Sequence, residues 1–249
     1  MKPYVTLKIL EKVGYIEFFN PPHNALTPSL LNDLTSLINS AAVDNKIHII
    51  VLKSGGDRAF CAGASFNHMV EISDEVEGKS FFMGFANVIN ALRKCPKIII
   101  GSIQGKAVGG GVGLASAVDI CFATEFADIK LSELSVGIGP FVIEPAIKRK
   151  IGVSAMSHLA LKAQTFFSAK WAMDKGLYAN VFESNKELIR EVQSLASELS
   201  SYNIDSLAAF KRIQWQGTDD WDKLLESRAQ LSGKMSLSPK AKSYLKKFI

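Results

Sequence analysis

The chain has 249 residues, of which 47% are hydrophobic, and a formal net charge of +5. This length and composition provide a buried core for one large or two small domains, and the charge is modest and scattered, so neither a disordered chain nor a nucleic-acid partner is expected. The N-terminus lacks a signal-peptide pattern and no apolar run reaches the roughly 20 residues that span a bilayer, so we expect a cytoplasmic protein with no membrane partner.

The first predicted elements are two strands and a helix. Residues 5–10 and 13–19 are rich in apolar residues and are separated by a turn, a pattern typical of a pair of strands. Thr27 precedes Pro28, which is typical of a helix N-cap followed by proline at the first helical position. The apolar residues that follow share one helical face: Leu30, Leu34, Leu37, Ile38 and Ala41.

Two later apolar runs, each followed by small residues, are predicted to be buried strands. The run at 47–52 leads through a loop to a small-residue turn at 62–65, and the run at 98–103 leads to a glycine-rich bend at 107–115. Between them, residues 73–94 carry apolar side chains at helical spacing. Strands that alternate with helices indicate an α/β layered core.

The glycine-rich bend has three interpretations. The consecutive glycines at 109–111 let a ligand approach the peptide N–H groups, which at a helix N-terminus can hold an anion or a developing oxyanion. If the turn at 62–65 lies beside the bend, one N–H from each would hold a single carbonyl oxygen. A dinucleotide-binding oxidoreductase is the second interpretation, although the strict G-x-G-x-x-G pattern fails at Ser116. The third is a tight bend that only serves helix packing.

The last quarter of the chain shows only helical patterns. They begin near residue 186, and Pro239 marks a break among them. We therefore expect a core over residues 1–195, which carries the site, and a helical C-terminal region over residues 196–249.

The cysteines and histidines give no metal pattern. Cys61, Cys95 and Cys121 are widely separated and odd in number, which predicts neither a disulfide framework nor a zinc cluster. Cys61 lies beside the turn at 62–65, where a nucleophile is conceivable, but a small buried residue is the favoured interpretation. The histidines show no metal-ligand spacing, so no metal is expected.

Five motifs in chain order resemble the enoyl-CoA hydratase/isomerase, or crotonase, family. They lie at residues 20–26 (NPPHNAL), 62–65 (AGAS), 109–111 (GGG), 132–140 (SELSVGIGP) and 169–181 (AKWAMDKGLYANV). Each motif is weak alone, but together they span most of the chain. The resemblance implies a spiral of ββα repeats, with a helical C-terminal region that packs between the subunits of a homotrimer or a dimer of trimers.

The resemblance also implies the chemistry. The substrate would be an acyl-CoA, whose thioester forms an enolate, and no further cofactor is needed because coenzyme A is part of the substrate. By resemblance, the N–H groups of Ala64 and Gly110 hold the enolate oxygen and Glu133 moves the proton. For coenzyme A contacts we expect backbone groups near Ala25, Ala62 and Ala64.

Departures from the family pattern decide between reactions. Hydratases of the family place a second glutamate where this chain has Gly113, so the site is more like that of the isomerases, with one carboxylate. Hydration of a 2-enoyl-CoA, including branched ones such as methylglutaconyl-CoA, stays the alternative. Glu144 is then a candidate substitute acid, although glutamate is also favoured near a helix start by the dipole.

Two further departures concern binding. Ser65 replaces the usual aspartate, and Asn67 stands where many relatives have a lysine near the coenzyme A phosphates. Together with Gly113, they motivate one more alternative, a catalytically weak CoA-binding subunit. C-terminal lysines are the remaining candidates for the phosphates: Lys240, Lys242, Lys246 and Lys247.

Overall fold

The structure is a computed structural model that describes residues 2–248. The strands are β1 (Tyr4–Leu10), β2 (Val13–Phe19), β3 (Ile49–Ser54), β4 (Ala59–Cys61), β5 (Ile98–Ile103), β6 (Lys106–Val108), β7 (Ile120–Thr124), β8 (Ile129–Lys130) and β9 (Asn180–Phe182). The helices are α1 (Pro28–Val43), α2 (Phe66–Glu71), α3 (Glu75–Lys94), α4 (Gly110–Ala117), α5 (Glu133–Val136), α6 (Glu144–Leu161), α7 (Ala169–Asp174), α8 (Asn185–Ser200), α9 (Ile204–Gln214), α10 (Trp221–Ser236) and α11 (Pro239–Leu245), followed by a 3-10 turn at Lys246–Phe248.

The strands form two sheets that the chain visits in turn. The larger sheet has the order β1-β2-β3-β5-β7-β9 and the smaller has the order β4-β6-β8. All neighbours are parallel except β1 and β2. Three successive strand pairs, β3-β4, β5-β6 and β7-β8, each give one strand to each sheet before the chain enters a helix. This arrangement confirms the predicted α/β fold with ββα repeats.

The continuous apolar runs are explained by burial of both faces of the larger sheet. Ile49 and Val51 of β3 pack with Leu188 and Val192 of α8, in a cluster on one face. Ile50 of the same strand points into the main core, which also holds α1 and α3. Parallel strands covered on both faces lose the alternation of polar and apolar residues.

The start of α1 confirms its prediction. The Thr27 side chain accepts a hydrogen bond from the backbone N–H of Leu30 at 3.3 Å, and Pro28 occupies the first helical position. The strand predicted over residues 47–52 begins and ends two residues later in the structure, at Ile49 and Ser54. His48 lies before the strand, where its backbone N–H donates to the carbonyl of Lys12 at 2.7 Å.

The C-terminal helices pack on the core. Residue 195 lies inside α8, which covers the larger sheet, so the predicted domain boundary falls within a helix. Beyond it, α10 packs along α3, and the two helices approach closely at a pair of glycines. A Cβ on Gly78 would lie 2.7 Å from the Cα of Gly233. Within residues 2–248, no helix combines the length and apolar content that crossing a bilayer requires.

A buried ion pair fastens α9 to the sheet. Lys211, 2% exposed, places its Nζ 2.8 Å from Oδ2 of Asp119 and also donates to two backbone carbonyls. The Asp119 carboxylate accepts two further hydrogen bonds, from the Ile99 N–H at 2.8 Å and from Trp215 Nε1 at 2.9 Å. Every polar atom of the pair therefore has a partner, which is the condition under which a buried charge is tolerated.

Candidate active site

The two small-residue turns meet at the edge of the smaller sheet. They follow β4 and β6, which are parallel neighbours, so both turns leave the sheet at the same end. A Cβ on Gly63 would lie 3.0 Å from the carbonyl oxygen of Val108 and 3.3 Å from the backbone N of Gly110. Gly63 also has a φ of +86°, which favours glycine. The contact between the turn at 62–65 and the glycine-rich bend, which the sequence could not establish, is therefore present.

Each turn has a cleft-lining residue whose N–H has no protein acceptor within residues 2–248. Among the described residues, the amides of Ala64 and Gly110 donate no hydrogen bond, whereas the neighbouring Ser65 and Gly109 amides donate to backbone carbonyls at 3.0 and 2.8 Å. Gly110 is the first residue of α4, so its N–H lies at the positive end of the helix dipole. The pair is thus available to a negatively polarised oxygen.

The segment around residue 25 lies against the first of these turns. The Ala62 N–H donates to the His23 carbonyl at 3.1 Å, and Leu26 forms a parallel bridge with Ala64. The three alanines expected to contact coenzyme A are therefore neighbours. Ala62 and Ala64 line the cavity described next, whereas Ala25 is not among the residues that line it.

The turns open into a cleft with about 540 Å³ of empty space, counting the part open to solvent. Most of its wall is apolar, and within residues 2–248 Glu133 is the only ionisable side chain that lines it. Helices α2 and α3 contribute four apolar side chains to the wall: Phe66, Met69, Phe82 and Phe85. Phe81, which also belongs to α3, packs in the core and is not among the residues that line the cleft.

Glu133 is held at the junction of β8 and α5. Its Oε2 is buried and has no hydrogen-bond partner among the described residues. Its Oε1 lies where a Cβ on Gly109 would come within 2.7 Å, so the glycine bend and the carboxylate are in direct contact. Burial raises the pKa of Glu133 from 4.5 to about 7, against a smaller opposing effect of its own backbone N–H. Both protonation states are therefore populated near neutral pH, as acid/base chemistry requires.

The position expected to hold a second glutamate is filled. A Cβ on Gly113 would lie 2.4 Å from Cγ2 of Ile143 and 2.8 Å from its Cβ. No side chain fits there without displacing Ile143, which lines the cavity. Among the described residues, the cleft therefore has one carboxylate.

Glu144 lies outside the cleft. It begins α6, and its Oε1 is 2.8 Å from Nζ of Lys148, one turn later. Its Oε2 is buried without a partner in the part of the chain that is described, but the residue does not line the cavity that holds Glu133. The structure thus brings Ala64, Gly110 and Glu133 together and leaves Glu144 apart from them.

Cys61 is not poised as a nucleophile. Burial raises the pKa of its thiol to about 12, and its Sγ accepts a long hydrogen bond of 3.4 Å from the Gly63 N–H. A thiol with this pKa carries almost no thiolate at neutral pH. Within residues 2–248, no three His, Cys, Asp or Glu side chains lie close enough to share a metal ion.

Ser232 is a polar residue of the cleft that was not predicted from the sequence. Ser232 of α10 lines the cleft, is 1% exposed, and has no partner for its Oγ among the described residues. Nothing in its local sequence marks it, since it reaches the cleft only because α10 packs on α3.

The C-terminal Lys242, a candidate for the coenzyme A phosphates, donates to the carbonyls of Val70 and Ile72, at the end of α2.

Comparison with known proteins agrees with the motifs. The enoyl-CoA hydratase/isomerase family model matches residues 8–247. The chain is 30% identical over 217 residues to the peroxisomal Delta(3,5)-Delta(2,4)-dienoyl-CoA isomerase of Arabidopsis thaliana, covering 79% of this chain and 76% of that protein. It is 29% identical over 198 residues to the short-chain-enoyl-CoA hydratase of Clostridium acetobutylicum, covering 78% and 75%. The crystal structure of an enoyl-CoA hydratase from Bacillus halodurans has the same fold, with a TM-score of 0.90, 22% identity, and coverage of 98% of this chain and 99% of that one.

Proposed function

This chain belongs to the enoyl-CoA hydratase/isomerase family, and from that premise we propose that it moves the double bond of enoyl-CoA thioesters. One observation carries the proposal. A single carboxylate, Glu133, shares the cleft with two N–H groups that have no protein acceptor, and Ile143 fills the space that a second carboxylate at residue 113 would need. One carboxylate is sufficient to remove a proton and return it, whereas addition of water also needs a group that holds the water.

The proposed role of the two N–H groups is to stabilise an enolate. When a proton leaves the carbon next to a thioester, negative charge moves to the carbonyl oxygen. Donors fixed at Ala64 and Gly110 bind this charged oxygen more strongly than the neutral carbonyl of the substrate. One such donor is typically worth about 3 kcal/mol of transition-state stabilisation.

The proposed role of Glu133 is to carry the proton between two carbons. Its carboxylate removes a proton from C2 of a 3-enoyl-CoA, and the electron pair of the C2–H bond moves into a dienolate whose charge rests on the thioester oxygen. The protonated carboxyl then delivers the proton to C4, which gives the 2-enoyl-CoA and restores the carboxylate. A pKa of about 7 suits a group that must both accept and release the proton.

The expected binding partners follow the family. We propose that backbone groups near Ala25, Ala62 and Ala64 contact coenzyme A, which enters as part of the substrate, with no further cofactor. Residues 196–249 are proposed as the region that forms a homotrimer or a dimer of trimers. Lys242 is already bonded within the chain, which favours the other C-terminal lysines as contacts of the phosphates.

Hydration of a 2-enoyl-CoA is the second candidate. It is favoured by the likeness to the Clostridium acetobutylicum protein, which is named a short-chain-enoyl-CoA hydratase. It requires a water held beside Glu133 by a group other than a second glutamate.

Product analysis in deuterated water separates the two reactions. Hex-3-enoyl-CoA and hex-2-enoyl-CoA are supplied separately, and the products are identified by NMR and mass spectrometry. We expect interconversion of the two isomers without a 3-hydroxyacyl-CoA. Formation of a 3-hydroxyacyl-CoA as the main product would replace isomerisation by hydration, and absence of any product with either substrate would overturn the catalytic proposal.

A further inference from the structure

A buried hydroxyl in the cleft wall lacks a partner. Ser232 is 1% exposed, and its Oγ has no hydrogen-bond partner within the part of the chain that the structure describes. A serine inside a helix either points to solvent or bonds to a backbone carbonyl of the preceding turn. Ser236, on the same helix and also buried, does so, because its Oγ donates to the Gly233 carbonyl at 2.7 Å. Ser232 departs from this pattern where α10 reaches the cleft.

The position of Ser232 is fixed by tight packing. The two helices touch at Gly233, next to Ser232, where a Cβ would lie 2.5 Å from the carbonyl carbon of Gly78. Phe82 lies one turn after Gly78, and both Phe82 and Ser232 line the cleft. The hydroxyl therefore belongs to the wall formed by α3 and α10, which otherwise presents aromatic rings to the cleft.

Burying a hydroxyl without a partner is unfavourable, so a ligand atom that supplies the partner gains binding free energy. The thioester oxygen is not the expected partner of the Ser232 hydroxyl, because the N–H groups of Ala64 and Gly110 are proposed to bind it. The ligand oxygen that pairs with Ser232 would then lie elsewhere on the acyl group, among the apolar side chains of the α3 wall.

The charge of the cleft defines which oxygen fits. Glu133 is the only ionisable side chain lining it in residues 2–248, and no cation lines it. A carboxylate on the acyl chain would meet no positive charge and would be repelled by ionised Glu133. A hydroxyl or carbonyl oxygen carries no such penalty.

We propose that Ser232 is a specificity-determining residue that hydrogen-bonds a neutral oxygen, hydroxyl or carbonyl, on the acyl chain of the substrate. The inference rests on the proposed function in assuming an acyl-CoA ligand. It deepens that function, since the preferred substrates become oxygenated enoyl-CoA thioesters and not plain hydrocarbon ones.

Binding of saturated thioesters tests the inference without catalysis. Isothermal titration calorimetry compares 4-hydroxybutanoyl-, 5-hydroxypentanoyl- and 6-hydroxyhexanoyl-CoA with the unsubstituted thioesters of equal chain length. We expect one hydroxylated member to bind about tenfold more tightly than its partner, as one added hydrogen bond predicts. Ser232→Ala should reduce that ratio to near one, whereas Ser236→Ala, which removes a buried hydroxyl from the same helix outside the cleft, should keep it.

The outcomes separate this inference from the proposed function. A wild-type protein without preference at any length, or a preference that survives Ser232→Ala, would overturn the role of Ser232. Tighter binding of glutaryl-CoA than of every hydroxylated thioester would overturn the proposal that the oxygen bound by Ser232 is uncharged. A preference that Ser232→Ala abolishes, in a protein that converts neither hexenoyl-CoA isomer, would support the inference and overturn the catalytic proposal alone.

Discussion

Glu133 and Asp119 are both carboxylates withdrawn from bulk water, but their surroundings differ. Asp119 meets a lysine, an indole N–H and a backbone N–H, each at 2.8 or 2.9 Å. Glu133 keeps Oε2 buried without any partner among the described residues. The fold therefore satisfies one carboxylate completely and leaves the other unsatisfied.

The difference shows how one chain uses buried charge for two purposes. A fully bonded carboxylate has nothing left to offer a ligand, so the Asp119 pair serves to hold α9 on the sheet. A buried carboxylate with one unpartnered oxygen has a raised pKa and a free lone pair, which are the properties of a proton carrier. Substitution of Glu133 should therefore lower activity, whereas substitution in the ion pair of Asp119 should lower stability.

The largest expected effect is the loss of activity in Glu133→Gln. The amide has nearly the same shape but cannot accept and return a proton, so we expect kcat to fall by about 10²- to 10⁴-fold. Steady-state kinetics with hex-3-enoyl-CoA measures this loss, and calorimetry with hexanoyl-CoA should show a dissociation constant within about threefold of wild type. A variant that retains a near-normal rate would remove Glu133 from the mechanism.

The next effect is the loss of stability in Lys211→Met. It removes the 2.8 Å ion pair with Asp119, whose side chain is only 12% exposed, and breaking a buried pair typically costs about 3–5 kcal/mol of unfolding free energy. Urea denaturation measures this loss, and kcat per folded molecule should stay unchanged. Adding Asp119→Asn to Lys211→Met should recover part of the loss, because the side chain that has lost its Lys211 partner is then neutral. Strictly additive effects of the two substitutions would mean that the pair is not coupled.

A smaller effect is the pH dependence that Glu133 produces. Activity that needs the carboxylate should rise by about tenfold per pH unit below its pKa of about 7 and level off above it. For stability the sign is opposite. Because the pKa of Glu133 is higher in the folded chain than in the unfolded chain, proton binding stabilises the folded state. This contribution to the unfolding free energy is complete below pH 4.5 and is lost as the pH rises to about 7.

The matched control for this pH dependence is Glu133→Gln. The wild type should become less stable relative to this variant between about pH 4.5 and 7, as followed by urea denaturation at several pH values. A difference in unfolding free energy that does not vary with pH would show that the pKa of Glu133 is the same in the folded and unfolded chain.

The smallest effect is expected for Glu144→Gln. Glu144 is paired with Lys148 at 2.8 Å and does not line the cleft, so its loss should change kcat by less than about threefold. The same assay used for Glu133→Gln measures it. A loss as large as that of Glu133→Gln would make Glu144 a second acid and would favour hydration.

Local features of the fold were predictable because they depend on neighbouring residues. The Thr27 cap needs only the hydroxyl and the proline that follows it, and the structure shows both in place. The long apolar runs likewise predicted buried strands from neighbouring residues alone. The short strands β6 and β8 have three and two residues, too few for a pattern, and form by pairing in turn, β6 with β4 and β8 with β6.

The assembly of the site depends on contacts that sequence spacing does not contain. The turns at Gly63 and Gly110 meet because β4 pairs with β6, and the glycine bend meets Glu133 because β6 pairs with β8. The family motifs indicated which residues to examine, but not that they lie together. Ser232 had neither a motif nor a periodic signal, so packing of α10 on α3 was needed to find it.

The contact between α3 and α10 also has a consequence for synthesis of the chain. The two helices, Glu75–Lys94 and Trp221–Ser236, are far apart in the sequence, so α3 leaves the ribosome long before its cover exists. At about 5–20 residues per second, the wait is roughly 7–30 s. During this time the phenylalanines of α3 lack the helix that shields them. The cleft therefore becomes complete only after α10 has emerged.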